Sequence, residues 1–172
     1  LLLSINLVLA VFMSKAQTPC FNSPDFYPSG GTNTGTVTND MAVADFNRDG
    51  ISDVFVACHG YDGAPLPGEK SKLLLSNGTD FTMADVGEVG FYHSASAADV
   101  NNDGYPDIVV ANIQNIPSVY FLINQGNGTF VKDTSKTTEA NPGGMFTVEM
   151  FDVNHDGFLD LLIGGHEFEG YA

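Results

Sequence analysis

Residues 45–53 read DFNRDGISD, and this stretch decides the fold because close copies of it occur twice more. Residues 99–107 read DVNNDGYPD, and residues 152–160 read DVNHDGFLD. The three nonapeptides begin 54 and then 53 residues apart, and a short apolar run follows each of them. Polar and glycine positions that recur at an even spacing indicate an internal repeat of about 50 residues.

Each repeat has the pattern of four short strands. Apolar runs lie on both sides of the nonapeptide, and a second pair of runs encloses a Gly-rich turn, as in residues 73–81 and 121–130. Runs rich in Val, Ile and Phe between Gly, Asn and Asp clusters favour strands over helices. In the second repeat the pattern predicts strands near residues 94–99, 107–112, 118–124 and 128–133.

Four strands in each period of this length are typical of a β-propeller blade. A single blade cannot bury both of its faces, so neighbouring blades must stack. The sequence therefore predicts an all-β fold of four-stranded antiparallel blades, with two complete blades and the start of a third. We expect the blades at about residues 36–91, 92–145 and 146–172, the last of them incomplete.

The N-terminal residues differ from the repeats. Residues 1–13 are apolar apart from two polar side chains, and small residues in the following Ser14-Lys15-Ala16 fit a cleavage site. Residues 1–16 are interpreted as part of a secretory signal peptide, with a buried strand or helix as the alternative. A run this short does not span a membrane comfortably, so we expect no direct membrane insertion. An N-terminal segment over residues 17–35 then precedes the repeats.

The nonapeptides have the side chains of a calcium loop. Oxygen ligands occupy positions 1, 3, 5 and 9, the backbone carbonyl of position 7 adds another, and Gly at position 6 permits a sharp turn. Two carboxylates about 4 Å apart repel by roughly 4 kcal/mol before screening, and a bound cation would offset this. The alternative is a set of metal-free Asp/Asn turns. The sequence predicts one Ca²⁺ per repeat, three in all, held by Asp45, Asn47, Asp49, Ile51 and Asp53, by Asp99, Asn101, Asp103, Tyr105 and Asp107, and by Asp152, Asn154, Asp156, Phe158 and Asp160.

The loops differ from those of EF-hands, which need a bidentate Glu at position 12. Val56, Val110 and Ile163 occupy that position here. A nonapeptide with its acidic residue at position 9 and a hydrophobic strand after it resembles the FG-GAP/VCBS repeats of integrin α-subunit-like propellers, over residues 36 to 172. The resemblance implies a propeller, bound calcium and an extracellular setting, and it specifies no ligand.

The charge of the chain limits its partners. Asp and Glu number 21 against 6 Lys and Arg, which gives a net charge of −15. Nucleic acids and anionic membranes attract basic surfaces, so neither is an expected partner. We expect an extracellular protein or glycan ligand, bound by a secreted binding or adhesion module.

A candidate ligand face lies at the end of the blades opposite the calcium loops. In an antiparallel blade the connections from the second to the third strand, and from one blade to the next, share that end. Loops on a rigid scaffold often carry function, although His at a strand end is also a common structural residue. The predicted face consists of His59, Tyr61, Asp62, Tyr92, His93 and His166.

An enzyme is the alternative to a binding module. Catalysis would then lie in the propeller's channel or in a further domain, and carboxylates such as Asp62 and Glu167 could act as acid and base. No nucleophile or phosphate-binding motif is present in the sequence, and no pair of carboxylates has a recognisable spacing. We therefore expect no catalytic residue in this chain.

Two further sequence features leave alternatives open. Cys20 and Cys58 could pair in an oxidising compartment, or Cys58 could be a buried free thiol. Asn77 and Asn127 each begin an Asn-Gly-Thr sequence, which is either a glycosylation acceptor or a simple turn.

Overall fold

The structure is a computed structural model that describes residues 38–60, 67–113, 117–137 and 144–165 of the chain. In these ranges the regular structure consists of ten β-strands and no helix. The strands form two four-stranded sheets and one two-stranded sheet, and all pairs within them are antiparallel. The predicted all-β fold with four-stranded antiparallel blades is confirmed.

Three sheets follow one another along the chain, each with its strands in sequence order. Blade 1 contains β1 (Thr38–Ala44), β2 (Asp53–Cys58), β3 (Glu69–Ser76) and β4 (Phe81–Gly90). Blade 2 contains β5 (Tyr92–Ala98), β6 (Asp107–Asn112), β7 (Val119–Asn124) and β8 (Phe130–Asp133). Blade 3 contains β9 (Met145–Phe151) and β10 (Asp160–Gly165).

The strands of blade 2 test the predicted bounds directly. The second and third strands agree with the prediction to within one residue, whereas β5 begins two residues earlier than predicted and β8 two residues later. The early start of β5 follows from its pairing, because Tyr92 lies opposite Asn112 at the end of β6. A strand end set by a partner strand leaves no mark in the local sequence pattern.

The inner strands of blade 2 are buried on both faces because they lie between the other two blades. Every residue of β6 is buried. Ile108 and Val110 pack against blade 1, and the intervening Val109 and Ala111 pack against β9 of blade 3. Successive side chains of a strand point to opposite faces, so an uninterrupted apolar run is what a sheet between two others requires.

The largest part of the core lies between blades 1 and 2. Phe46 and Phe55 from blade 1 pack with Tyr92 and Tyr120 from blade 2, and the four side chains are almost wholly buried. Burial of a large apolar side chain contributes about 1.5–3 kcal/mol. Stacking of the blades therefore supplies much of the stability that a single blade would lack.

Hydrogen bonds between the first strands of the blades fix their mutual register. The backbone N–H of Ala95 donates to Asp40 Oδ2 over 3.1 Å, and the N–H of Val148 donates to Ser94 Oγ over 3.2 Å. Asp40 and Ser94 both lie five residues before their nonapeptides, and Ala95 and Val148 both lie four residues before theirs. The same repeat positions thus join blade 1 to blade 2 and blade 2 to blade 3.

Each nonapeptide lies between the first and second strands of its blade. In blade 1 the backbone N–H of Ser76, at the end of β3, donates to Asp53 Oδ1 over 2.8 Å. The turn after β3 therefore lies at the same end of the blade as the nonapeptide. Among the described residues no helix is long and apolar enough to cross a membrane.

Candidate metal centre

The three nonapeptides fold in the same way. In the first, the two carboxylate oxygens of Asp45 accept hydrogen bonds from the N–H groups of Asp49 (3.0 Å) and Gly50 (2.8 Å). Asn47 Oδ1 accepts from Asp49 N at 2.9 Å, and Asp49 Oδ1 accepts from Ile51 N at 2.9 Å. The corresponding bonds in the second and third nonapeptides measure between 2.8 and 3.1 Å.

Two positions in each loop adopt the left-handed backbone conformation. Gly at position 6 has φ between 86° and 90°, which a glycine adopts without steric cost. Position 4 adopts φ of 60°, 58° and 62° in Arg48, Asn102 and His155, and all three residues are exposed. This pair of conformations turns the chain tightly enough for positions 1, 3 and 5 to surround the loop's own amides.

The Asp at position 9 has a second role that the sequence pattern did not reveal. Asp107 is fully buried, and its carboxylate accepts from Val100 N at 3.1 Å and from Asn124 N at 2.8 Å. Asp53 is also fully buried and accepts from Phe46 N at 2.9 Å and from Ser76 N. Position 9 therefore ties the start of the nonapeptide to the end of the blade's third strand.

Burial and neighbouring carboxylates act together on these two acids. The pKa of the Asp53 carboxyl is raised, chiefly by burial and further by the negative charges of Asp49 and Asp45, although two backbone N–H groups oppose the shift. The pKa of Asp107 is raised for the same reasons, with Asp103 and Asp99 as the like charges. Nearby positive charge would favour the ionised form of both groups.

The donors of each loop fit Ca²⁺ in their chemistry. Within the described ranges, no group of three or more His, Cys, Asp or Glu side chains is arranged to hold a metal ion. A carboxylate oxygen that accepts one hydrogen bond retains a second lone pair, and Ca²⁺ takes mixed sets of carboxylate, amide and backbone oxygens. The residues therefore fit Ca²⁺ through sets that include an Asn oxygen and a backbone carbonyl, and not through carboxylates alone.

The first two loops contact each other. The guanidinium carbon of Arg48 lies 5.2 Å from the centroid of the Tyr105 ring, a cation–π distance. The amide nitrogen of Asn124, at the end of β7, donates to the carbonyl of Phe46 over 2.8 Å. The end of the molecule that carries the nonapeptides is thus continuous from blade 1 to blade 2.

The prediction that Tyr92 belongs to a ligand face is wrong. Tyr92 is the first residue of β5 and is fully buried. Its hydroxyl donates to the carbonyl of Glu88 over 2.9 Å and accepts from the Tyr120 hydroxyl over 2.9 Å. Burial, together with the neighbouring Tyr120, raises the pKa of Tyr92. Because β5 begins earlier than predicted, the alternation of the strand turns this ring into the core.

The two described histidines of the predicted face belong to a column of rings that crosses all three blades. His59 is buried and stacks on Phe91 at 5.6 Å between centroids and on His93 at 5.3 Å. His93 is half-buried and contacts Phe146 of blade 3 at 4.5 Å. His59 therefore has a packing role. Tyr61, Asp62 and His166 lie outside the described residues.

Sequence reasoning did not identify the two phenylalanines of this column. Phe146 lies six residues before its nonapeptide, the position that His93 has in the second repeat, so the alignment of the repeats contained a signal for this contact. Phe91 had no such signal, because it lies in the one-residue link between β4 and β5.

Cys58 is a free thiol, and it is fully buried. Burial, together with the negative charge of Glu69, raises its pKa to about 11. Cys20 lies outside the described residues. Of the two alternatives drawn from the sequence, the buried thiol is the one that the structure has.

Comparison with known families agrees with the repeat organisation. The profile of the FG-GAP-like repeat matches residues 45–110 and again residues 99–163, which together cover more than half of the chain. No curated protein matches the chain at a significant level. Each matched segment runs from one nonapeptide into the strand after the next, so the match follows the repeats seen in the structure. The chain belongs to the FG-GAP-like repeat family.

Proposed function

We propose that the protein is a secreted, calcium-binding β-propeller module that binds an extracellular protein or glycan. The observation that carries the calcium assignment is the threefold recurrence of one loop geometry. In each nonapeptide the same side chains accept the same backbone hydrogen bonds, with distances that differ by at most 0.1 Å between loops.

The residues of each loop have separate tasks in this proposal. In the second loop, Asp99, Asn101 and Asp103 supply side-chain oxygens from one turn, and Tyr105 supplies its backbone carbonyl. Asp107 supplies a carboxylate that is already anchored to Val100 and Asn124. When bound, Ca²⁺ supplies the positive charge that offsets the three carboxylates.

Bound calcium would also stabilise the contacts between the strands of the blade. Because position 9 reaches the third strand as well as the loop, a cation held by the loop stabilises the links between three strands of one blade. Metal binding of this kind adds to the free energy of unfolding according to its affinity and the free calcium concentration.

The extracellular setting and the binding role rest on the family and on the charge. FG-GAP-like repeats are typical of extracellular proteins and are generally non-catalytic. The acidic chain, with a net charge of −15, suits a calcium-rich environment and disfavours polyanionic partners. His93 remains half-buried, so it is the described member of the predicted ligand face to test first, by His93→Ala against candidate glycans and proteins.

Calorimetric titration with CaCl₂ of the calcium-depleted protein tests the metal assignment. We expect about one ion per nonapeptide, and we expect Asp45→Ala and Asp99→Ala each to remove one ion from the stoichiometry. Glu149→Gln is the matched control, because it removes an exposed carboxylate of β9 that lies outside the nonapeptides. The assignment is refuted if the protein shows no heat of binding, or if both loop variants bind calcium as the wild-type protein does.

A further inference from the structure

Two Asn-Gly-Thr sequences lie in the turns between the third and fourth strands of blades 1 and 2. Asn77 lies in the four-residue turn between β3 and β4, and Asn127 lies in the five-residue turn between β7 and β8. Both asparagines are exposed. The difference of one residue in turn length gives the two sites different chemical surroundings.

The residue before each turn caps the backbone N–H two positions later. Ser76 Oγ accepts from Gly78 N at 3.1 Å, and Asn124 Oδ1 accepts from Gly126 N at 2.9 Å. In the shorter turn the capped N–H is that of the glycine after Asn77. In the longer turn the capped N–H belongs to Gly126 and not to Gly128, the glycine after Asn127. Within the described residues the N–H of Gly128 donates no hydrogen bond.

The side-chain carbonyl of each asparagine is also hydrogen-bonded. Asn127 Oδ1 accepts from Thr129 N at 3.1 Å and from Thr129 Oγ1 at 2.6 Å. Asn77 Oδ1 accepts from the same two groups of Thr79, both at 3.0 Å, and also from Asp80 N at 2.9 Å, so protection of Asn77 has to come from its capped amide nitrogen. Donors placed on a carbonyl oxygen stabilise the negative charge that develops there when a nucleophile adds to the carbonyl carbon.

We propose that Asn127 is a site of spontaneous deamidation, and that the Ser76 cap protects Asn77 from the same reaction. Gly128 N loses its proton to solvent base, and its electron pair forms a bond to Asn127 Cγ. Nδ2 then takes up a proton from the solvent, the bond from Cγ to Nδ2 breaks, and the nitrogen leaves as ammonia. Water opens the resulting succinimide at one carbonyl or the other, which gives Asp or isoaspartate.

The local structure favours attack at the second site. A Cβ built on Gly128 would meet no atom within 4 Å, whereas one on Gly78 would meet Ile51 Cδ1 at 3.5 Å, so the space beside the Gly128 α-carbon is open. The cap on Gly78 N instead stabilises the protonated amide and fixes its direction, which disfavours the nucleophilic form. The product adds a carboxylate to the turn that follows Asn124, the residue whose side chain bonds to blade 1.

Peptide mapping by mass spectrometry, after incubation of the folded protein in mildly alkaline buffer, tests the proposal. We expect Asn127 to convert about fivefold faster than Asn77, the factor that corresponds to the net value of one hydrogen bond. Ser76→Ala should raise the rate at Asn77 towards that at Asn127. This variant keeps the backbone N–H that binds Asp53, and circular dichroism checks its fold.

Incubation in denaturant is the internal control, because the cap and the turns are absent there and the two Asn-Gly pairs should convert at equal rates. Equal rates in the folded protein, or an unchanged rate at Asn77 in Ser76→Ala, would overturn the proposal. Asn127→Gln lengthens the side chain and should abolish conversion at that site. None of these outcomes depends on calcium binding.

Discussion

The hydroxyl of Ser94 in blade 2 donates a hydrogen bond of 2.7 Å to the carboxylate of Asp40 in blade 1. The same oxygen accepts from Val148 N of blade 3, so one small side chain joins the first strands of all three blades. Ser94 is almost fully buried, and water cannot replace these bonds if the hydroxyl is removed.

Ser94→Ala should lower the free energy of unfolding by about 1–3 kcal/mol, because it leaves a buried N–H without its acceptor. Denaturant titration measures this change. Ser135→Ala is the control, since Ser135 is exposed and, among the residues that the structure describes, bonds to Asp133 of its own turn. Equal stability of the two variants would show that the link between blades contributes nothing.

Asp107→Ala should destabilise the protein by about 3 kcal/mol even in excess chelator, because it deprives Val100 N and Asn124 N of their acceptor. Asp99→Ala removes a carboxylate whose partners, Asp103 N and Gly104 N, are exposed and can bond to water. In chelator this second variant should lose less than about 1 kcal/mol. Denaturant titrations in chelator that give the same loss for both would contradict the structural role of position 9.

Stability should fall between about pH 9 and pH 11 because of Cys58. The folded state holds the thiol proton more tightly than the unfolded state, since burial raises the pKa from 9.0 to about 11. The contribution is therefore complete below pH 9 and is lost as the pH rises, by up to about 3 kcal/mol across this range. Cys58→Ala should flatten this part of the stability profile measured by denaturant titration. A profile that is identical in the variant would contradict the assignment.

Gly90→Ala should destabilise blades 1 and 2 together. A Cβ at Gly90 would overlap with Nδ2 of Asn112. Asn112 is fully buried, and its Oδ1 accepts from Phe91 N at 3.0 Å. Displacement of this amide costs its hydrogen bonds as well as steric strain, about 3 kcal/mol in all.

Gly164→Ala is the matched control for this substitution. It also lies in a strand, but its nearest contact is 3.5 Å away, so its thermal melt should shift little. If Gly90→Ala melts at the wild-type temperature, the packing of Asn112 against blade 1 is not as described.

The loops and strands could be predicted because their signals are local and repeated. Asp45, Asn47 and Gly50 recur in type at the same spacing in three segments, and each of these residues acts within its own loop. The apolar runs after the nonapeptides similarly predicted β2, β6 and β10. Repetition made these signals stronger than any single turn motif would be.

The features that the sequence did not reveal depend on contacts between strands and blades. Asp53 binds Ser76 N across 23 positions of sequence, and no periodicity marks a carboxylate that accepts from another strand. Tyr92 enters the core because its strand pairs with Asn112, and His59 is buried because rings from blades 1 and 2 stack on it. From the sequence alone, the polar side chains of these residues suggested positions on the surface.

Diffraction from crystals grown in calcium tests the central claim most directly. We expect one density peak in each nonapeptide, at about 2.3–2.6 Å from the side-chain oxygens of positions 1, 3, 5 and 9 and from the carbonyl oxygen of position 7. Nonapeptides that retain their internal hydrogen bonds but contain only water at these positions would contradict the claim.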